Sequence, residues 1–236
     1  MGLTGISSVA IPQRRVEWAE CWRIIPSRYP PIDLFERVAP PEDWELLIEL
    51  ESRTNDRLRD QVGKISLIPA GERMSGPGTS FIMAPFTHLH PDGSRFTDGT
   101  FGAYYGAAAL ETAVAETSYH RTRFFAATAT PATTIDMRVL INGLSGDLHD
   151  IRSLGAELPG VYDPVDYSAG QALGRRLHGE DSCGIAYDSV RHAGGQCAAV
   201  FRPRSVLTPV IQERHLSYHW DGTRIAAVHE IRVLQT

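Results

Sequence analysis

Residues 94–120 read SRFTDGTFGAYYGAAALETAVAETSYH, and their order sets the architecture: a basic loop, a short aromatic strand, then a helix bearing acids. Gly102 to Ala107 is a short aromatic run built around Tyr104 and Tyr105, which predicts a strand. Ala108 to Arg123 places Leu110, Ala113, Val114 and Thr117 at helical spacing, which predicts a helix with that stripe buried. Neighbouring strand residues face opposite ways, so Tyr104 and Tyr105 are expected in different surroundings, one ring in the core. Counted from Arg95, Tyr105 and Glu116 lie 10 and 21 residues further on. A guanidinium can grip phosphate bidentately, a phenol ring can lie on a planar heterocycle, and a carboxylate can stabilise positive charge at a reacting carbon. Together they suit a dinucleotide carrying a cationic leaving group.

Working outward, Glu17 to Ile25 (EWAECWRII) reads as an early strand carrying Arg23. Pro41 to Asp60 reads as a helix with Trp44, Leu47, Ile48 and Leu58 on one side, and Pro41 fits its first turn. Gly71 to Gly99 is rich in Gly, Pro, Ser and Thr, and predicts irregular loop around one strand at most, at the apolar island Phe81 to Phe86. Downstream, Thr133 to Ile141 predicts a strand, and Ser168 opens a helix through Ala172, Leu173 and Leu177 that ends in Arg175, Arg176 and His178. Gly184 to Tyr187 and Gln196 to Phe201 read as two strands around a glycine-containing loop. Arg214 to Trp220 and Arg224 to Leu234 flank Asp221-Gly222 as a hairpin. Strands mixed irregularly with a few helices predict an α+β fold. The expected organisation is one domain, with an N-terminal elaboration over about 1–93, core motifs over 94–202 and a C-terminal hairpin over 214–234.

Composition narrows the functional classes. At 236 residues and 42% hydrophobic, the chain can bury a real core. Its net charge of -5 gives no general attraction to nucleic acid or anionic membrane, so phosphate binding must come from a local cluster of arginines. Cys21, Cys183 and Cys197 are odd in number and form no CxxC pair, so a reduced cytoplasm is expected without a disulfide framework or zinc ribbon. No apolar run is long enough to span a membrane. The order of basic and apolar residues at the N-terminus is the reverse of a secretory signal, and no targeting segment is read there.

Each chemical candidate has a plainer alternative. Glu116 competes with Glu111 on the same helix, and either suits an exposed, solvated face. Glu116 is preferred because Ala113 and His120 lie three and four residues away, at the small-residue edge where a cleft can form, whereas Glu111 sits nearer the solvated back. Arg95 and Arg23 equally suit surface or ion-paired roles, and their placement beside aromatic strands favours a functional one. Ser189, in GIAYDSVRHAGGQC, suits either an ordinary turn or a ligand-facing loop. A Ser-His-Asp hydrolase is not supported, since no G-x-S-x-G elbow is present and His192 is too close in sequence to Ser189. His88 with His90, and His215 with His219, lack an HExxH or Cys-rich context, so no metal site is expected. Walker and G-x-G-x-x-G loops are also missing from the sequence.

Four ordered blocks, WRI at 22–24, SRFTDGTFGAYYGA at 94–107, LETAVAETSYHR at 110–121 and GIAYDSVRHAGGQC at 184–197, resemble the RES domain family, the toxins of RES-Xre toxin–antitoxin pairs. The resemblance spans Cys21 to Arg202. It implies an ADP-ribosyltransferase-like fold with a split β-sheet core and flanking helices. It also implies attack on NAD, as substrate, at the bond between nicotinamide and ribose. Carried over by position, Arg95, Tyr105 and Glu116 become the catalytic set. Arg23, Arg95, Tyr105 and Ser189 become the NAD-binding set, with Ser189 orienting the nicotinamide ribose. Where many members have Gly-Arg-Trp-Asn, this chain has Ser94-Arg95-Phe96-Thr97. The expected reaction is mono-ADP-ribosylation of a protein acceptor. NAD hydrolysis or phosphorolysis, or a non-catalytic nucleotide- or protein-binding module, stand as alternatives. The implied partner is an Xre-like antitoxin with a helix-turn-helix that supplies the contact to DNA.

Overall fold

The computed structural model describes residues 9–29, Trp44 and 62–232. Among these, seven strands and three α-helices appear in the order β1 (Gln13–Pro26), α1 (Thr79–Thr87), β2 (Tyr104–Ala107), α2 (Leu110–Ala127), β3 (Thr133–Asp150), α3 (Ser168–Gly179), β4 (Gly184–Asp188), β5 (Gln196–Val200), β6 (Val206–Trp220) and β7 (Ile225–Ile231). This is the mixed α+β class that the pattern predicts. The helix expected over 41–60 lies outside the described residues, apart from Trp44, which is fully buried.

The strands run in the order β1-β2-β5-β4-β3-β6-β7, and β1 also pairs with β3. The circuit β1-β2-β5-β4-β3 therefore closes on itself through two narrow seams. β1 meets β2 at the single pair Trp22↔Ala107, and β3 meets β4 in parallel at His149↔Ile185 and Asp150↔Ala186. On either side of the seams the pairing is extensive. β1 follows β3 from Gln13↔His149 to Pro26↔Met137, and β5 is flanked along its length by β2 and β4. The sheet is thus split into a β1-β3-β6-β7 half and a β2-β5-β4 half.

Strict alternation buries both faces of the short strands. In β5, Cys197 and Ala199 enter one core while Ala198 and Val200 enter the other; in β4, Ile185 and Tyr187 oppose Ala186 in the same way. β1 needs one correction of phase to do this. Val16 and Trp18 pack in the same core as Cys21, and the register shift between Trp18 and Cys21 flips the parity, leaving Trp22 and Ile24 on the other face. Tyr104 and Tyr105 divide as expected: Tyr104 is fully buried in the Cys21 core, and Tyr105 packs against the core shared by α2 and α3.

The segment over 71–99 differs from its sequence reading. Phe81 to Phe86 lies in α1, a helix that contains Pro85 and follows Gly78 at φ 81°. Proline and glycines argue for loop, since Pro85 gives the helix no N–H donor. Burial of Ile82, Met83 and Phe86 on one face against the second core outweighs that local preference. Gly102 makes the packing possible, because a Cβ there would sit 2.1 Å from the Pro85 carbonyl oxygen.

Candidate active site

The site begins with a turn. Gly93, at φ 68°, allows Ser94 N to donate to Thr97 O at 2.8 Å, and a Cβ on Gly93 would lie 1.9 Å from that same oxygen. The Tyr105 hydroxyl locks this turn from β2: it bonds to Ser94 Oγ at 2.6 Å and accepts the Phe96 N–H at 3.0 Å. Burial pushes the phenol up to about 12, opposed by its bonds to Ser94 and Phe96 and by the charge of Arg95. It is therefore a neutral structural phenol. Behind the turn, Gly170 and Gly174 on α3 lie one helical turn apart. Cβ atoms there would meet the Arg95 and Phe96 carbonyl oxygens at 2.4 and 1.9 Å, so the missing side chains let the helix lie against the turn.

So placed, Arg95 is almost fully buried. Its Nη1 donates to the carbonyls of Val161 and Asp163, both at 2.9 Å, and its guanidinium lies 4.5 Å from the centre of the Tyr167 ring. Among the described residues it has no ion pair, and its buried Nη2 has no hydrogen-bond partner. A buried cation without a counter-charge is costly to keep, and such groups concentrate at functional sites.

The carboxylate comes from α2, which lies against the same core through Ala113, Leu110 and Val114 and is tied to β6 by a 2.7 Å bond between Thr117 Oγ1 and Tyr218 Oη. Glu116 is half-buried on this helix, and Glu111 is exposed. Ser189 Oγ donates to Glu116 Oε1 at 2.6 Å and accepts the N–H groups of Arg191 and His192 at 3.1 and 3.0 Å. The loop after β4 is held against α2 by Thr112 Oγ1, which bonds His192 Nδ1 at 2.8 Å, and by Gly195, whose Cβ would clash with Thr112. Ser189 thus addresses the glutamate, while the His192 ring is engaged with Thr112, an arrangement unlike a hydrolase triad.

Tyr187 joins the pieces. This buried phenol lies within electrostatic reach of Glu116, Tyr105 and Arg95, and burial raises it well above its ordinary value. Arg95, Tyr105 and Glu116 thus share the electrostatic surroundings of one buried phenol, and Ser189 joins them through its bond to Glu116. Arg23 stands apart from that group. Its Nη1 donates to the Tyr105 carbonyl at 2.8 Å, its guanidinium lies 4.6 Å from the Tyr104 ring centre, and its buried Nε has no partner.

Sequence reasoning missed Arg191, Tyr119 and Tyr167. Arg191 follows Ser189 by two positions, and Tyr119 follows Glu116 by three, so each shares a local frame with a residue already singled out. His120, at the solvent-exposed rim of α2, is crowded enough that desolvation pushes it down to about 4, helped by Arg191, Arg95, Arg121 and Arg123. Among the described residues no group of three or more His, Cys, Asp or Glu could hold a metal ion, and no helix is long and apolar enough to cross a membrane.

The sequence matches the family model described as the RES domain over residues 72–221, well over half of the chain. The chain belongs to the RES domain family. An uncharacterized protein of Sinorhizobium fredii (strain NBRC 101917 / NGR234), y4oC, is 33% identical to this RES domain protein over 215 residues, covering 89% of this chain and 86% of the relative. Among solved structures, the M. tuberculosis MbcT-MbcA toxin-antitoxin complex is similar at 12% identity and a TM-score of 0.44, covering 89% of this chain and 87% of that one. The family match runs from just before α1 to the turn after β6 and includes Arg95, Tyr105, Glu116 and Ser189.

Proposed function

We propose that this RES domain is an NAD-consuming toxin that cleaves the bond between nicotinamide and ribose and transfers the ADP-ribose to a protein acceptor. The observation that carries the reading is a carboxylate oriented by a hydroxyl, Glu116 with Ser189, together with a buried guanidinium lacking an ion pair, Arg95, both acting on the buried Tyr187 phenol. Arg95 takes the pyrophosphate and the Tyr105 ring faces the nicotinamide. Glu116 holds a ribose hydroxyl and stabilises the positive charge that develops as the bond breaks. Ser189 orients the nicotinamide ribose through the carboxylate it bonds. Arg23 supports the pyrophosphate end from the Tyr105 backbone.

In the reaction the carbon–nitrogen bond breaks with its electron pair leaving on the nicotinamide nitrogen, which neutralises the pyridinium. The ribose carbon becomes oxocarbenium-like and is captured by a nucleophile that loses its proton. A protein side chain gives mono-ADP-ribosylation, water gives hydrolysis and phosphate gives phosphorolysis. All three share the cleavage step at Glu116. The partner of such a toxin is an antitoxin of the Xre-like, helix-turn-helix kind acting in the cytoplasm. DNA contact then falls to the antitoxin, in keeping with the -5 charge of this chain.

The test is to incubate purified protein with NAD and identify every product by mass spectrometry, with Glu116→Gln as control. Free nicotinamide together with labelled protein supports the proposal. Free ADP-ribose or its 1-phosphate reassigns the acceptor, and intact NAD with folded wild-type protein rejects the enzyme in favour of a binding module.

A further inference from the structure

Arg191 shares an unusual arrangement with Arg95. Its guanidinium carbon lies 3.3 Å from the centre of the Tyr119 ring, and its Nη2 donates to the Pro164 carbonyl and lies 3.5 Å from the Tyr167 hydroxyl. Its Nε is buried without a hydrogen-bond partner, and among the described residues it forms no ion pair. The segment from Val161 to Tyr167 therefore clamps two guanidiniums. Val161 and Asp163 present carbonyls to Arg95, Pro164 presents its carbonyl to Arg191 and to the Tyr119 hydroxyl, and Tyr167 touches both cations.

Two neighbouring cations repel unless an anion lies between or beside them. Two carboxylates lie near, and neither forms an ion pair with these arginines: Asp163 is lowered chiefly by the Val165 and Asp166 N–H groups that its Oδ1 accepts, with Arg95 and Arg191 adding to this, and Glu116 accepts the Ser189 hydroxyl. His120, facing the same arginines, is neutral at ordinary pH and adds no negative charge. With neither carboxylate paired to a guanidinium, the two cations remain open to an anion from outside the chain. Each guanidinium lies over a tyrosine ring, which restrains its position, and each keeps one buried nitrogen without a partner, Nη2 of Arg95 and Nε of Arg191.

We propose that Arg191 is the second arm of a two-guanidinium diphosphate site, taking one phosphate while Arg95 takes the other, with Tyr119 and Tyr167 holding the two planes in place. Naming the diphosphate as that of NAD rests on the function proposed above; the anion site itself stands on the geometry.

Binding of inorganic pyrophosphate and of ADP-ribose is measured calorimetrically for wild type, Arg191→Gln and Arg191→Lys, with nicotinamide release from NAD assayed separately. Wild type is expected to bind both ligands with an affinity that falls as salt rises. Arg191→Gln is expected to weaken both about tenfold or more, with Arg191→Lys in between because lysine keeps the charge and loses the fork. To cover a variant that folds poorly, wild-type protein is treated with phenylglyoxal and mapped by mass spectrometry, where pyrophosphate should slow modification of Arg191. Wild-type protein that binds neither ligand, Arg191→Gln that binds as well as wild type, or an Arg191 that pyrophosphate leaves unprotected, overturns the inference. Pyrophosphate binding that depends on Arg191 without nicotinamide release keeps the anion site and rejects the NAD-cleaving function.

Discussion

Ser189 Oγ donates its proton to Glu116 Oε1 across 2.6 Å while accepting two backbone N–H groups, those of Arg191 and His192. The two incoming donors occupy the acceptor side of the hydroxyl, so its proton has one direction left, toward the carboxylate. The glutamate is therefore aimed by the backbone of the loop after β4, with the serine as the connecting atom.

Ser189→Ala removes that connection and leaves two N–H groups without their partner, at a cost of about 1 kcal/mol in stability or more. Nicotinamide release should fall about tenfold or more through kcat, with KM for NAD little changed. Ser189→Thr, which restores the hydroxyl, should recover most of the rate. Steady-state kinetics of the three proteins decide the matter, and an alanine variant as fast as wild type would free Glu116 from this dependence.

Glu116→Gln keeps an oxygen for Ser189 to donate to, so its melting temperature should stay within a few degrees of wild type. If Glu116 acts as proposed, losing its negative charge should slow nicotinamide release about a hundredfold or more. Glu111→Gln, on the exposed side of α2, should leave the rate unchanged in the same assay.

Gly174→Ala places a methyl group 1.9 Å from the Phe96 carbonyl oxygen, a contact relieved only by moving α3 away from the turn that carries Arg95. The expected cost is about 1–3 kcal/mol in denaturant unfolding, together with a raised KM for NAD. Gly179→Ala, on the same helix with open space around it, serves as the control and should change neither.

Tyr105→Phe separates the phenol's two roles. The ring remains for the nicotinamide contact proposed above, whereas Ser94 and the Phe96 N–H lose a partner. Stability should fall by about 1 kcal/mol or more, and turnover of the folded fraction by only a few-fold. Tyr105→Leu, which removes the ring, should cost much more in KM. Equal losses for the two variants would place the tyrosine's contribution in the hydroxyl alone.

His120 sets an acid limit on the fold. Its native value of about 4 lies below the ordinary 6.5, so between those limits the unfolded chain binds the proton that the native chain refuses. The His120 contribution is fully present above pH 6.5 and is lost as pH falls toward 4. The melting temperature of wild type should therefore drop across that window more steeply than that of His120→Gln. The difference should be modest, because the ring reaches solvent.

The sequence carried most of the strand plan, because short, nearly continuous apolar runs such as Gly184–Asp188 and Gln196–Val200 are buried on both faces and leave a strong local signature. The deeper burial of Glu116 than of Glu111 was legible for a similar reason: small neighbours mark the helix edge that packs. α1 was illegible because Pro85 and two preceding glycines speak for loop, and only the core formed with Trp44, Val62 and β2 reverses that preference. The C-terminal half of β3 was hidden by Gly143 and Gly146, which read as breakers but make room for Leu207 and Ser205. Arg191 escaped because its value lies in what surrounds it, a tyrosine ring from α2 and a carbonyl from the 161–167 segment, both distant in sequence.

The narrow seams of the sheet have a consequence for how activity arises during synthesis. Tyr105 lies on a four-residue strand whose long neighbour is β5, and Glu116 takes its aim from a loop between β4 and β5. A nascent chain that has emerged only as far as α3 therefore holds its carboxylate without an orienting hydroxyl and its aromatic strand with only the single β1 pair, Trp22↔Ala107, beside it. The reactive arrangement is a late product of translation, and a fragment ending near residue 180 should be chemically silent even with Arg95, Tyr105 and Glu116 all present.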